Sequence, residues 1–436
     1  MKKIAVIIAV LLSLSILAAC GTQNQPSGDQ SPNAPGNQTN APKSVKIGVM
    51  CPTTGPLAGL GEGSPYWEEW FRDYINDELG GIYFKDYDAT LPVEMVFYDT
   101  ASSEENAAEL TRKLITEDKV DIIICRHTPN TVVACTAITE QYEVPTIAVD
   151  CPGTTWLGQG DHHWSFLSSP LVPTYYQAYS SIWKQAGYTT DNPKSKIGIV
   201  FANDLDGTIL GPAYSAEAEK DGFELYDPGR YAAGTNDFAS LIAQYQQNNI
   251  EIIWGVMNTA EFGAFWAQCQ QLGYKPKIVV IGKAYMLESQ VLAIGADLMD
   301  GMGNEVWWDT RFPFKSEIMG ITCTEYGEMY YKAIGKKAAG PQGAKFVSWE
   351  IMIDVLQRAP NLEPETLRST IAATDLNTLM GRIKYGDNNH CPTIACGGQW
   401  VMTPDGGVMQ EIVGNPDPSN GIQLTAPVKT SGRAWD

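Results

Sequence analysis

Val45-Lys46-Ile47-Gly48-Val49-Met50 is a short, nearly apolar run that leads into the loop Cys51-Pro52-Thr53-Thr54-Gly55-Pro56. It reads as a strand buried on both faces. The helix that follows is predicted to use Ser64 as N-cap and Pro65 as its first helical residue, positions where both types are favoured. Trp67, Trp70, Phe71, Tyr74, Ile75 and Leu79 recur at helical spacing on one face, and Gly80-Gly81 stops the helix. Outward from there, strands are predicted over 93–98, 120–124 and 145–149. Ser103 caps one intervening helix, which turns Ala107, Leu110, Leu114 and Ile115 inward, and another helix covers about 131–142.

The pattern restarts at Lys196-Ile197-Gly198-Ile199-Val200-Phe201-Ala202. Residues 209–222 read as largely helical, and Asn236 caps a helix carrying Phe238, Leu241, Ile242 and Tyr245. Strands are predicted over 250–256 and 277–281, with a helix over 261–272 between them. Apolar strands alternating with helices imply parallel sheets covered on both faces, and two successive sets imply two doubly wound α/β domains. Such sheets bind ligands beyond the carboxyl ends of their strands, so two facing domains would share a cleft there.

Ahead of this body stand Lys2 and Lys3, an apolar segment over 4–16, and Leu17-Ala18-Ala19-Cys20. The segment is a secretory signal in pattern, too short and wrongly flanked for a stable membrane span. Its closing cysteine resembles a bacterial lipobox, which implies lipidation of Cys20 and cleavage just before it; plain cleavage beside a free cysteine is the other reading. Residues 21–43 are almost all small or polar and cannot offset their own ordering entropy, so they read as a flexible linker. The body is therefore expected outside the cytoplasm, tethered to the bacterial cell membrane through the lipid.

The chain carries 50 acidic and 30 basic residues, formally −20. That balance excludes the basic footprint of a nucleic-acid binder and a basic membrane-surface patch. The acidity is spread along the chain and selects no substrate. Of nine cysteines, eight remain without Cys20, an even number compatible with disulfides. Cys391 and Cys396 are the candidate local bridge, and a fully reduced set is the alternative.

An ordered series of short motifs runs through the body: Lys46-Ile47-Gly48-Val49, Thr54-Gly55-Pro56-Leu57-Ala58, the aromatic-rich helix, Gly80-Gly81-Ile82 and Tyr98-Asp99-Thr100. Lys113-Leu114-Ile115, Asp118-Lys119-Val120-Asp121, Pro152-Gly153-Thr154-Thr155 and Asp237-Phe238-Ala239-Ser240-Leu241-Ile242 follow. Over roughly 45–400 this series resembles the leucine/isoleucine/valine-binding proteins, type I solute-binding proteins of ATP-driven (ABC) importers. The resemblance implies two Rossmann-like lobes, 44–170 with 303–378 and 171–302 with 379–427, followed by a tail over 428–436. Hinge crossings are expected near 168–173, 301–307 and 375–382. The implied function is capture of a small carboxylate-bearing solute and its delivery to ABC membrane subunits, by a monomer without a cofactor. A ligand-sensing receptor subunit of the same shape and a secreted enzyme are the alternatives.

The resemblance also implies contacts. Thr54 and Leu60 lie in and after the Gly-Pro loop. His127, Thr128, Asn130, Thr154 and Thr155 follow first-lobe strands, where hydroxyls and helix N-termini suit a carboxylate, although ordinary capping uses the same residue types. In the second lobe the family's contacts fall near Met257-Asn258 and near Lys283-Ala284-Tyr285. The family's acidic residue, the partner of an amino acid's ammonium, has no counterpart at that last position. A buried ammonium without a partner costs on the order of several kcal/mol, so a plain branched-chain amino acid is not expected. Lys283 and Arg126 instead point to a carboxylate, and Tyr285 to an aromatic one; Arg126 as a surface charge is the plainer reading.

Cys51, Cys125 and Cys151 with His127 carry donors that suit a soft metal, but buried cysteines are more often small hydrophobes, and no metal is expected. His162-His163 and His390 read as loop residues, and Trp307-Trp308 as hinge packing. Gly59-Leu60-Gly61-Glu62-Gly63 mimics part of a dinucleotide fingerprint but begins well beyond its strand. No catalytic constellation stands out.

Overall fold

The computed structural model describes residues 41–192 and 194–436. Cys20, the expected signal and the linker up to residue 40 lie outside them. The first stretch forms β1 (Val45–Cys51), α1 (Tyr66–Asp73), β2 (Ile82–Phe84), β3 (Ala89–Leu91), β4 (Val93–Asp99), α2 (Glu104–Lys113), β5 (Ile122–Arg126), α3 (Thr128–Tyr142), β6 (Thr146–Val149), α4 (Gly153–Leu157) and β7 (Ser165–Ser169). The second forms α5 (Val172–Gln185), β8 (Ile197–Phe201), α6 (Gly211–Lys220), β9 (Leu225–Tyr226), α7 (Ala239–Gln247), β10 (Ile252–Val256), α8 (Thr259–Gln271), β11 (Ile278–Gly282), α9 (Glu288–Ile294) and β12 (Met302–Val306). Then come α10 (Cys323–Ile334), α11 (Gly340–Arg358), α12 (Pro364–Ala372), β13 (Asp375–Thr378), β14 (Gly381–Lys384), β15 (His390–Pro392), β16 (Cys396–Met402) and β17 (Val408–Gly414).

Two sheets organise these elements. The first is six-stranded, ordered β15-β7-β6-β5-β1-β4, and parallel throughout. The second is seven-stranded, ordered β17-β16-β12-β11-β10-β8-β9; β16 and β17 join it antiparallel, an edge the expected parallel sheet lacked. Every residue of β5, β8, β10 and β11 is buried, as helices on both faces require. In the first lobe α1 sets Phe71 against Trp349 of α11, rings stacked with centroids 5.3 Å apart. Helix α11 is buried on nearly every side, so its apolar residues show no one-sided stripe.

Local readings differ at a few points. Ser103 accepts the Asn106 N–H at 3.2 Å, as its capping role requires. Ser64 does not cap α1; its hydroxyl donates to Glu68 Oε1 at 2.9 Å. Asn236 is replaced by Asp237, whose carboxylate accepts the Ala239 N–H at the start of α7. The chain passes between sheets after Ser169, after Val306 and between Pro392 and Cys396. That third passage falls later than the expected 375–382. The β13–β14 hairpin first packs on α11, and β15 then pairs parallel with β7, His390 opposite Leu167. The expected Cys391–Cys396 bridge is absent for the same reason: the two residues stand in different sheets, and all eight cysteines among the described residues are free and buried. Among the described residues no helix is long and apolar enough to cross a membrane.

Candidate functional site

The carboxyl ends of β5 and β6 face those of β8, β10 and β11 across one narrow cavity of about 60 Å³. The first lobe contributes Leu60, Thr128, Pro129, Asp150 and Pro152 to its wall. The second contributes Asp206, Leu210, Tyr214, Val256, Gly282, Lys283 and Met286, while α5 adds Tyr175 and Tyr179, and β12 with its exit adds Glu305 and Trp307.

The backbone is bent to make this wall. His127, Thr128, Asp150 and Lys283 all take left-handed conformations, with φ of 71°, 67°, 58° and 70°. Such conformations cost of the order of 1–3 kcal/mol each, and persist where surrounding contacts over-determine them. Here the Thr128 N–H donates to the Asp150 carbonyl at 2.9 Å, tying the end of β5 to that of β6. Across Lys283 the Ala284 N–H donates back to the Gly282 carbonyl at 2.8 Å, a tight three-residue turn. A π-helical turn at Asp206–Leu210 sets both of its end residues on the wall. Gly282 is required by close approach, since a Cβ there would lie 2.5 Å from the Tyr179 hydroxyl.

The cavity is rich in acid. Lys283 Nζ donates to Asp206 Oδ2 at 2.6 Å. Burial pulls the Lys283 ammonium down, but the Asp206 carboxylate outweighs it and raises the group overall. Glu305 is pushed up to about 7 by burial, against hydrogen bonds from its own backbone, Tyr179 and the Lys283 N–H; the Asp150 charge pushes the same way as burial. Asp150 is pushed up to about 8 by burial, partly countered by Arg126. Its Oδ2 lies 2.5 Å from His127 Nδ1, and burial together with Arg126 holds that imidazole well below its ordinary range. A protonated Asp150 donating to a neutral imidazole satisfies both directions. Behind this layer the Arg126 guanidinium meets Glu68 at 2.5 Å, both side chains fully buried, so the surface-charge reading of Arg126 is wrong. Several buried polar atoms have no protein partner: Thr128 Oγ1 and Glu305 Oε2 on residues of the cavity wall, and His127 Nε2 just behind it.

Of the residues read from sequence, Leu60, Thr128 and Lys283 stand on the wall, and His127 backs it through Asp150. The others lie elsewhere. Thr54 donates its hydroxyl to Asp99 Oδ2 at 2.6 Å, bracing the loop after β1. Asn130 sits half-buried on α3, off the wall. Thr154 Oγ1 accepts the Val172 N–H at 3.0 Å beside the first passage between sheets. Thr155 is buried in α4 with an unpartnered hydroxyl, away from the cavity wall. The Asn258 N–H donates to Glu261 Oε2 at the start of α8. Tyr285 is fully buried in the second-lobe core, its hydroxyl accepting from Ile281 N–H and donating to the Gly303 carbonyl, so it cannot touch a solute. Lys283 is already spent on Asp206.

The acids were missed for identifiable reasons. Asp150 ends the apolar run of β6, and Glu305 is a lone charge inside the buried strand β12. Either position was a signal, because an unpaired buried charge is costly unless it serves a purpose. Tyr175, Tyr179 and Tyr214 carry no such mark, since at helical spacing they read as core. The absence of a carboxylate at 283–285 therefore does not leave the cavity without acids: Asp150, Asp206 and Glu305 all line it. Among the described residues no group of three or more His, Cys, Asp or Glu is placed to hold a metal.

A family model described as periplasmic binding protein matches residues 44–397. The Leu/Ile/Val-binding protein homolog 8 of Brucella abortus is 24% identical over 363 residues, 80% of this chain and 86% of that protein. The leucine-binding protein LivK of Thermotoga maritima superposes with a TM-score of 0.71 at 20% identity, covering 86% of this chain and 99% of its own. LivJ of Streptococcus pneumoniae, solved with isoleucine, gives 0.70 at 18% identity, covering 85% and 100%. With its two facing sheets and interlobe cavity, the chain belongs to the periplasmic binding protein family, as a type I member of the leucine/isoleucine/valine-binding kind.

Proposed function

We propose that this chain is an extracytoplasmic, lipid-anchored binding protein that captures a small, carboxylate-bearing, amino-acid-like solute and delivers it to an ABC import permease. The observation that carries the reading is the unpartnered Thr128 hydroxyl on the cavity wall, at the first turn of α3. The Thr128 N–H is taken by the Asp150 carbonyl and Pro129 carries none, so this end of the cavity offers a carboxylate the free Thr128 hydroxyl and the partial positive charge of the α3 N-terminus. Leu60, Leu210, Val256 and Met286 supply an apolar wall for the solute's side chain. Tyr175, Tyr214 and Trp307 widen the choice to aromatic side chains.

The test is a thermal-shift screen of the mature chain against amino acids and aromatic acids, followed by solution scattering with each binder. A binder at 100 times its dissociation constant adds about 2.7 kcal/mol of stability, and closure of the lobes reduces the radius of gyration. Thr128→Ala is expected to weaken carboxylate-bearing binders by about 1–3 kcal/mol, the value of a charged hydrogen bond. Binding that is indifferent to Thr128→Ala overturns the carboxylate assignment, and a screen without any binder overturns solute capture. Labelled fatty acid should enter the chain in cells and be lost in Cys20→Ser.

A further inference from the structure

We propose that Lys337 of the first lobe and Glu288 of the second form a latch across the mouth of the cleft, outside the solute cavity, that sets how often the lobes close. This rests on the solute-capture reading above and adds a control on its affinity.

Two ion pairs among the described residues join the lobes. Arg311 meets Glu411 at 3.1 Å just beyond the passage at Val306, so it sits at the hinge, where rotation of the lobes moves it little. Lys337 stands away from the hinge. Its Nζ meets Glu288 Oε1 at 2.8 Å and donates to the Val408 carbonyl of β17 at 3.4 Å, so both acceptors belong to the second lobe. Glu288 begins α9, close after Met286 on the cavity wall, but neither Glu288 nor Lys337 lines that wall. The first-lobe side is braced. Lys336 Nζ meets Glu62 Oε2 at 2.5 Å, and the Glu62 carbonyl accepts from Lys345 Nζ at 2.8 Å and from the Tyr330 hydroxyl at 3.2 Å. Lys337 is thereby tied to the loop that carries Leu60 onto the cavity wall. That loop also meets α9 directly: a Cβ on Gly59 would lie 3.2 Å from Leu287 Cδ1. Contacts across the mouth form only while the lobes are together, so their free energy falls on the closed form alone. The Lys337 and Glu288 side chains are 60% and 26% exposed, on the rim of a groove lined by Tyr331 and Ala339 of the first lobe and by Met409 and Gln410 of the second. Water and salt reach the pair, which limits it to the few-fold effect of exposed ion pairs and makes closure sensitive to ionic strength. Apparent affinity scales with the population of the binding-competent form. The latch therefore changes every solute's dissociation constant by one factor and leaves preference to the cavity.

Single-molecule Förster transfer tests the latch without any solute, by reading the closed-to-open ratio of the mature chain. The chain carries Cys20→Ser and one dye-labelled cysteine at an exposed position of each lobe; the eight native cysteines among the described residues are buried. Lys337→Met and Glu288→Gln are each expected to lower the ratio about two- to fivefold at about 20 mM NaCl, and the double variant no further. Raising the salt to about 500 mM, where the Debye length is about 4 Å, should lower the native ratio toward that of the variants and leave theirs in place. The exchanged pair, Lys337→Glu with Glu288→Lys, should restore the ratio at low salt. A chain with no closed population at low salt overturns the latch. So does a ratio that both single substitutions leave unchanged, or one that falls additively in the double variant. Those results leave solute capture standing, since a solute can drive closure by its own contacts. A screen without any binder overturns capture and leaves the latch ratio readable.

Discussion

Glu68→Gln isolates the buried ion pair beneath the site. Glu68 and Arg126 are fully buried, 2.5 Å apart, and Glu68 also accepts from Trp349 Nε1 at 2.6 Å and Ser64 Oγ at 2.9 Å. The substitution keeps the shape and one acceptor oxygen but removes the negative charge, and the other acceptors of the guanidinium, the Lys345 carbonyl at 3.5 Å and Ser348 Oγ at 3.3 Å, are neutral. Lys345 is the second buried cation nearby, pushed down to about 8 by burial, and can release its proton. Arg126 cannot, so it carries the cost. Breaking one side of a buried pair typically costs about 3–5 kcal/mol, a large part of the roughly 5–15 kcal/mol available to a folded domain. Urea unfolding followed by tryptophan fluorescence should show that loss at pH 7. The loss should shrink as pH rises toward about 8 and level off above it, because Lys345 without the Glu68 charge releases its proton at lower pH than Lys345 beside Glu68 does. Glu68→Gln combined with Arg126→Met should recover most of the stability. A loss below about 1 kcal/mol, the range of exposed pairs, would refute the view that this pair is desolvated and holds α1, β5 and α11 together.

Burial raises Glu305 to about 7, so its proton is bound in the folded chain and released on unfolding. Its contribution to the stability of the solute-free protein should be fully present below about pH 4.5 and be lost as pH rises through about 7, so thermal melts of Glu305→Gln should lack that component of the pH dependence. Gly282→Ala should weaken or abolish solute binding while the fold persists by circular dichroism, because the new methyl meets the Tyr179 hydroxyl at 2.5 Å. Tyr285→Phe should destabilise the second lobe by about 1–3 kcal/mol through its two lost buried hydrogen bonds, without altering solute preference in calorimetry. Asp300→Ala should free the C-terminal segment to limited proteolysis, since that carboxylate accepts from Met402 N–H, Lys429 Nζ and Ala434 N–H.

That last segment shows where local reading stopped short. Residues 428–436 read as a tail, yet Trp435 packs into the second-lobe core and donates to the Asp300 carbonyl at 2.8 Å. Nothing local to it distinguishes a docked end from a free one; the partner stands far back in the sequence. Trp307, whose sequence position suggests hinge packing, lines the cavity as well. The late third passage has the same origin: only pairing with β7 holds His390 to Pro392 in the first sheet.

What the sequence determined by itself was the alternation of buried strands and helices, its restart at Lys196, and the placement of a cleft at the strand ends. Those features depend on hydrophobic periodicity and local backbone preference, which neighbouring residues settle among themselves. The family resemblance rests on the same ordered local motifs. Tertiary structure alone decided the charges in the cleft. Asp150, Asp206, Lys283 and Glu305 come from four separate strand ends or turns, and whether each is paired, buried or free depends on which distant segments fold beside it. Electrostatic energy in a desolvated cavity depends on distance through space, and a linear sequence does not state that distance.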